Sequence, residues 1–169
     1  IPDKAPAFFF LDVRNDELPA FKSAAEAQQG VTGINNAPMM RGRIVKVKDI
    51  AAEKVTADPE AQWALRGDRG LTYAATLPEG SKLVEGEWWV KDYDGPPLVS
   101  MVDEIARGIG VKIGDKITVN VLGRDVEATV ANLREVNWRS MGINFVMVFD
   151  PKTLQAAPHS HLVTVEMQN

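Results

Sequence analysis

Hydrophobic positions along the chain switch repeatedly between a two-residue and a roughly 3.6-residue period, which predicts strands alternating with short helices. Ala7 to Val13 is aromatic-rich and strand-like, and it ends at Asn15-Asp16, where Asp16 is placed to cap a helix whose first turn tolerates Pro19. Leu18, Phe21 and Ala25 fall on one helix face with Lys22, Glu26 and Gln29 opposite, and Gly30 supplies the stop. Ala37 to Lys48 reads as a second strand: Ile44 alternates with Arg43, while Val45 and Val47 sit between Lys46 and Lys48, leaving one face wet and basic.

The middle of the chain, Asp49 to Pro97, is densely punctuated. Asp58 followed by Pro59 predicts a short helix to about Leu65, then a turn at Arg66 to Gly70, a strand at Leu71 to Thr76, a turn at Pro78 to Gly80, an extended piece at Leu83 to Trp89 and a break at Asp94 to Pro97. Beyond Leu98 the signals sharpen. Ser100 with Asp103 fits a short acidic capping box, and Val102, Ile105, Ala106 and Ile109 have the spacing of a core-facing helix that Gly110 ends. Gly114-Asp115 turns into Lys116 to Leu122, whose alternation buries Ile117, Val119 and Val121, and Gly123-Arg124 reverses the chain into a return strand through Val126, Ala128 and Val130. A strand at Asn144 to Phe149, a helix from Asp150-Pro151 to about Ala156 and a strand at His161 to Met167 complete the pattern.

Composition narrows the function. With 169 residues, 45% of them hydrophobic, the chain can bury a core as one domain or two small lobes. Nineteen Lys and Arg against 23 Asp and Glu give a net charge of −4, which argues against nucleic acid or an anionic membrane surface as partner. Without cysteine there is no disulfide, thiolate nucleophile or cysteine-based zinc site. No apolar run approaches the roughly 20 residues that cross a bilayer. The start at Ile1, with no recognisable signal peptide, reads as a piece of a longer protein.

Each sharper chemical reading has a plainer competitor. His159 and His161 have a spacing that places two imidazoles on one strand face, but no cysteine or carboxylate-rich motif accompanies them, and solvated strand-edge histidines are the better reading. Ser100, Ser140 and Ser160 lack a Gly-x-Ser-x-Gly elbow, and Ser100 is better used as a helix cap. Arg66-Gly67-Asp68 spells an adhesion tripeptide yet is what a solvated turn uses. Asp92, Asp94, Asp103 and Glu104 read as surface and capping carboxylates, and Gly108, Gly110 and Gly114 follow a helix where a phosphate loop would open one. Catalytic, metal and cofactor-binding residues are therefore all assigned as none. Trp88 and Trp89, adjacent and expected on opposite faces of a strand, are the candidates for a partner or lobe contact. Trp138, Asn144 and Phe145 are expected to hold a core together.

The ordered set Arg41-Gly42-Arg43, VEGEWW at Val84 to Trp89, VSMVDEIARGIGVKIGDKITV at Val99 to Val119 and REVNWRSMGINFVMVFDPKTL at Arg134 to Leu154 resembles the large periplasmic domain of MacB/FtsX-superfamily ABC transporter permeases, most of all those of the YbbP type. The resemblance runs from about Ala7 to Met167. It implies an α+β, mixed α/β fold of two lobes: a porter-like lobe at 1–48 and 159–169, incomplete because the family continues beyond Asn169, and an inserted β-rich lobe at 49–158 with a hairpin and short helices. It also implies a non-enzymatic domain at the periplasmic face of the bacterial inner membrane. The domain would work through the membrane part with a cytoplasmic ATPase, with a periplasmic partner or lipid-like substrate left open. The excised domain is expected to be monomeric. The alternative is a free-standing secreted binding module or enzyme that shares the β-rich lobe.

Overall fold

A computed structural model of the chain describes residues 6–137 and 143–168. In chain order the elements are β1 (Pro6–Arg14), α1 (Leu18–Glu26), β2 (Val31–Val47), β3 (Ile50–Ala51), 3-10 turns at Ala52–Lys54 and Gln62–Leu65, β4 (Arg69–Tyr73), β5 (Ser81–Gly86), β6 (Leu98–Val102), α2 (Asp103–Gly108), β7 (Lys116–Val121), β8 (Arg124–Val136), β9 (Met147–Phe149), α3 (Pro151–Leu154) and β10 (Ser160–Met167). The class is α+β, as expected, in two compact units. One comprises Ile1–Met40, Asn137–Asn144 and Pro158–Asn169, the other Arg41–Val136 and Phe145–Ala157. Strand β2 runs through both, so Arg41 to Val47 lie in the second unit.

In the first unit β10 is the middle strand, antiparallel to β1 on one side and to the first half of β2 on the other. A middle strand is covered along both edges, and Val163, Thr164 and Val165 are buried. Phe21 of α1 meets Phe10 of β1 edge-on at 4.7 Å, the contact that seats the half-buried face of Leu18, Phe21 and Ala25. Pro19 stands in the first turn as expected. The cap does not: Glu17 occupies that position without a side-chain bond, and Asp16 pairs with Arg14 at 3.2 Å. That ion pair with a side chain two residues away occupies the carboxylate expected to bond the helix amides.

In the second unit the strands lie in the order β4, β9, β6, β8, β5; β7 pairs with both β8 and β2, and β3 folds onto β2. The pairs β4–β9 and β6–β8 are parallel, and β6 and β9 are nearly all buried, which is why they read as continuous apolar runs. The core gathers Leu71, Val99, Met101, Ile117, Val119, Val130, Phe149 and Leu154.

Several expectations are corrected here. Ser100 lies inside β6 and caps nothing: Leu98–Val102 is drawn into the sheet between β8 and β9, and α2 starts at Asp103 with Val102 before it. Val102, Ile105, Ala106 and Ile109 are nevertheless all buried, as their spacing requires. The helix expected from Pro59 is only a 3-10 turn at Gln62–Leu65, because Ala61, Ala64 and Arg66 bond three residues back, to Asp58, Ala61 and Trp63, and the chain straightens at Arg66. The expected strand at Asn144 to Phe149 shrinks to Met147–Phe149, with Phe145 and Val146 buried outside it and the Val146 carbonyl accepting from the Val102 amide at 3.1 Å. The β7–β8 reversal is a two-residue turn at Leu122-Gly123, one residue earlier than expected, with φ values of 51° and 86°. Asp150 caps α3 as expected, accepting from the Thr153 amide at 3.2 Å.

Candidate functional site

Strand β5 ends at Gly86 (φ 81°), so Trp88 and Trp89 stand outside any strand and alternation does not apply to them. Their rings face each other at 4.1 Å and 36°, and their indole N–H groups donate to successive carbonyls, Trp88 to Ala75 at 3.0 Å and Trp89 to Ala74 at 2.9 Å. Ala74 is itself tied to Phe149, its amide donating at 3.1 Å, so the pair is anchored on the extension of β4. Trp89 is buried and Trp88 half-buried, and Val90 beside them is 71% exposed. The result is a rigid apolar ledge.

Arg134 is the largest of the fully buried side chains, 1% exposed. Its Nη1 donates to Ser100 Oγ at 3.0 Å and to the Val146 carbonyl at 3.4 Å, and its Nη2 donates to the Phe145 carbonyl. Nε has no partner, and burial draws the guanidinium pKa down to about 10. Every acceptor here is neutral, so the charge is compensated by dipoles alone. The arrangement fixes the Phe145-Val146 segment against β6 and makes Ser100 Oγ an acceptor for a buried guanidinium. The sequence carried a signal for it: Ala128, Val130, Asn132 and Arg134 share the inward parity of β8, and both polar members are buried with the apolar ones.

His161 is also buried, on the middle strand of its unit and not at a solvated edge, which corrects the reading for that residue; His159 is half-buried and precedes the strand. Asn36 Nδ2 donates to His161 Nδ1 at 3.3 Å, and His161 Nε2 donates to Asn15 Oδ1, a pattern that suits the neutral ring. Burial, then His159 at 5.6 Å between ring centres, then Lys22, hold its pKa below the usual histidine value. Among the described residues no cluster of three or more His, Asp or Glu is placed to hold a metal ion. Ser160 Oγ donates to Asp12 at 3.2 Å, and Ser140 and Trp138 lie outside the described residues. Two of the surface carboxylates pair with cations: Asp103 with Arg107 at 3.0 Å and Asp94 with Lys152.

A groove of about 660 Å³ opens in the second unit where β2 bulges. Register shifts between Ile44 and Lys46, making Val45 the extra residue, which is why both Ile44 and Val47 point inward across it. Val45, Ala51, Ala52, Val55, Ala57 and Leu65 give the groove apolar walls, and Arg43, Glu53, Gln62 and Arg66 give it polar groups. The walls are braced. Gln62 Nε2 donates to the Ala57 carbonyl at 3.3 Å and Oε1 accepts from Arg66 at 2.9 Å; Arg69, stacked 4.9 Å over Trp63, donates to the Trp63 and Arg66 carbonyls. Sequence reading took Arg66-Gly67 for a solvated turn and Arg41 to Arg43 for a strand; only the bulge and the turn at Gln62–Leu65 bring Arg43 and Arg66 to one groove.

No protein-family profile matches the chain. In sequence, all 169 residues align at 27% identity with YbbP of Escherichia coli (strain K12), an uncharacterized ABC transporter permease, and the chain spans 20% of that protein's length. In fold, 94% of the chain matches 70% of a domain of a protein assigned as a permease from Porphyromonas gingivalis, with a TM-score of 0.51 at 16% identity. The second likeness is one of fold alone.

Proposed function

From a sequence and a fold related to those of ABC transporter permeases, we propose that this chain is the extracytoplasmic domain of such a permease subunit, non-catalytic, and that it couples ATP hydrolysis by a cytoplasmic ATPase to a conformational change on the periplasmic side of the bacterial inner membrane. The observation that carries the reading is the alignment of the whole chain with a fifth of a permease, taken together with the absence, among the described residues, of any helix long and apolar enough to cross a membrane. In this reading 1–48 with 159–169 is the porter-like lobe and 49–158 the inserted lobe, and Trp88 with Trp89 is the contact for a periplasmic partner or a neighbouring lobe. The braced pair and exposed Val90 support that role, since a rigid aromatic anchor loses little conformational entropy on binding.

The test uses the full-length protein with its ATPase in proteoliposomes. Hydrogen exchange over peptides of this domain should change when ATP replaces ADP. Exchange indifferent to nucleotide, or a full-length gene without flanking apolar segments of roughly 20 residues, would overturn the reading.

A further inference from the structure

We propose that the groove of the second unit binds a small amphipathic anion, an organic carboxylate or phosphate monoester with an apolar tail. Its volume, about 660 Å³, is that of a small-molecule site, and it brings apolar side chains and charged groups to one place. Val45, Ala52, Val55, Ala57 and Leu65 would cover the tail. Arg43 and Arg66 line the same groove, and neither has an ion-pair partner among the described residues. Two guanidinium groups against the single carboxylate of Glu53 leave the groove with a net positive charge in a protein whose overall charge is −4. A planar guanidinium fork fits the oxygens of a carboxylate or phosphate, whereas an ammonium meets two guanidinium groups against the one Glu53 carboxylate and a neutral sugar head gains no charge pairing.

The site is also prepared in advance. Gln62 holds Arg66, Arg69 holds the carbonyls of the turn below it, and the β2 bulge fixes where Arg43 and Val45 stand, so binding need order little. The inference does not rest on the permease reading, because binding by this chain can succeed or fail whatever the whole protein does.

The experiment is a methyl-labelled NMR titration of the chain with eight-carbon probes: octanoate, octyl phosphate, octyl glucoside and octylammonium, with inorganic phosphate as the head without a tail. Octanoate and octyl phosphate should shift the methyls of Val45, Val55 and Leu65 saturably, and their relative affinities separate a carboxylate from a phosphate ligand. Octyl glucoside, octylammonium and inorganic phosphate should each bind at least about tenfold more weakly. Arg43→Gln and Arg66→Gln, both exposed substitutions, should each weaken the anions about tenfold, whereas Glu53→Gln should tighten them by removing a like charge. Equal binding of octyl glucoside would mean the arginines select nothing. Equal binding of inorganic phosphate would mean the apolar walls contribute nothing. Either result, or no saturable shift at these methyls, would overturn the proposal.

Discussion

Arg134 shows how a single side chain can oppose two terms of similar size. Burying a guanidinium without a carboxylate is costly, yet removing it strands the Phe145 carbonyl and leaves Val146 only its bond from the Val102 amide. Arg134→Met, which keeps the volume and loses the hydrogen bonds, should cost about 1–3 kcal/mol in urea melts; Arg134→Ala should cost more, since it adds a cavity. Phe145 is buried beside it, and Phe145→Ala should cost about 3–5 kcal/mol. A near-wild-type midpoint for Phe145→Ala would mean that its ring serves a surface. His161 makes a pH prediction. Its folded pKa is lowered, so the unfolded chain binds the proton more tightly; the stability is fully present above the unfolded value of about 6.5 and is lost as pH falls below it toward the folded value. Melting followed between pH 7.5 and pH 5 should show that slope in the wild type and a flatter one in His161→Gln.

At the scale of elements, strand pairing decides more than local propensity. Leu98–Val102 has a cap-like serine yet joins the sheet, because a parallel partner on one side and an antiparallel one on the other satisfy its backbone and bury nearly every side chain. The hairpin turn carries a local flaw: Leu122 is 62% exposed and holds a positive φ that leucine disfavours. Leu122→Asn should therefore stabilise the chain by roughly 0.5–1 kcal/mol, read as a higher urea midpoint at unchanged slope. Gly42 on β2 is the opposite case. A Cβ there would stand 2.6 Å from Leu71 Cδ1 and 2.7 Å from the Asn120 carbonyl, and backbone cannot yield as a side-chain tip can. Gly42→Ala should lower the midpoint by an overpacking cost of about 1–3 kcal/mol.

For the whole molecule the expectation is a non-enzymatic, monomeric domain. Net charge of −4 supplies modest self-repulsion, and no helix among the described residues is long and apolar enough to cross a membrane. Sedimentation should give a monomer over a wide concentration range, and a dimer that persists on dilution would count against it. Calorimetry should find no saturable ATP binding, since the chain has no phosphate loop.

The sequence by itself determined the α+β class, the β7–β8 hairpin, the Asp150 cap and the core face at Ile105, Ala106 and Ile109, because periodicity, turn chemistry and capping are local and act over a few residues. Its ordered motifs also pointed to permeases of ABC transporters. What the tertiary structure decided is everything that depends on a distant neighbour. Ser100 became a strand residue through β8 and β9, His161 a buried one by lying between β1 and β2, and Arg134 a core residue through carbonyls 11 and 12 positions along the chain. The groove depended on it most. Arg43 and Arg66 lie far apart in sequence, and nothing local to either announces the other; a one-residue bulge and a 3-10 turn bring them together. A bulge is set by the register against a partner strand, a non-local quantity that no window along the chain contains.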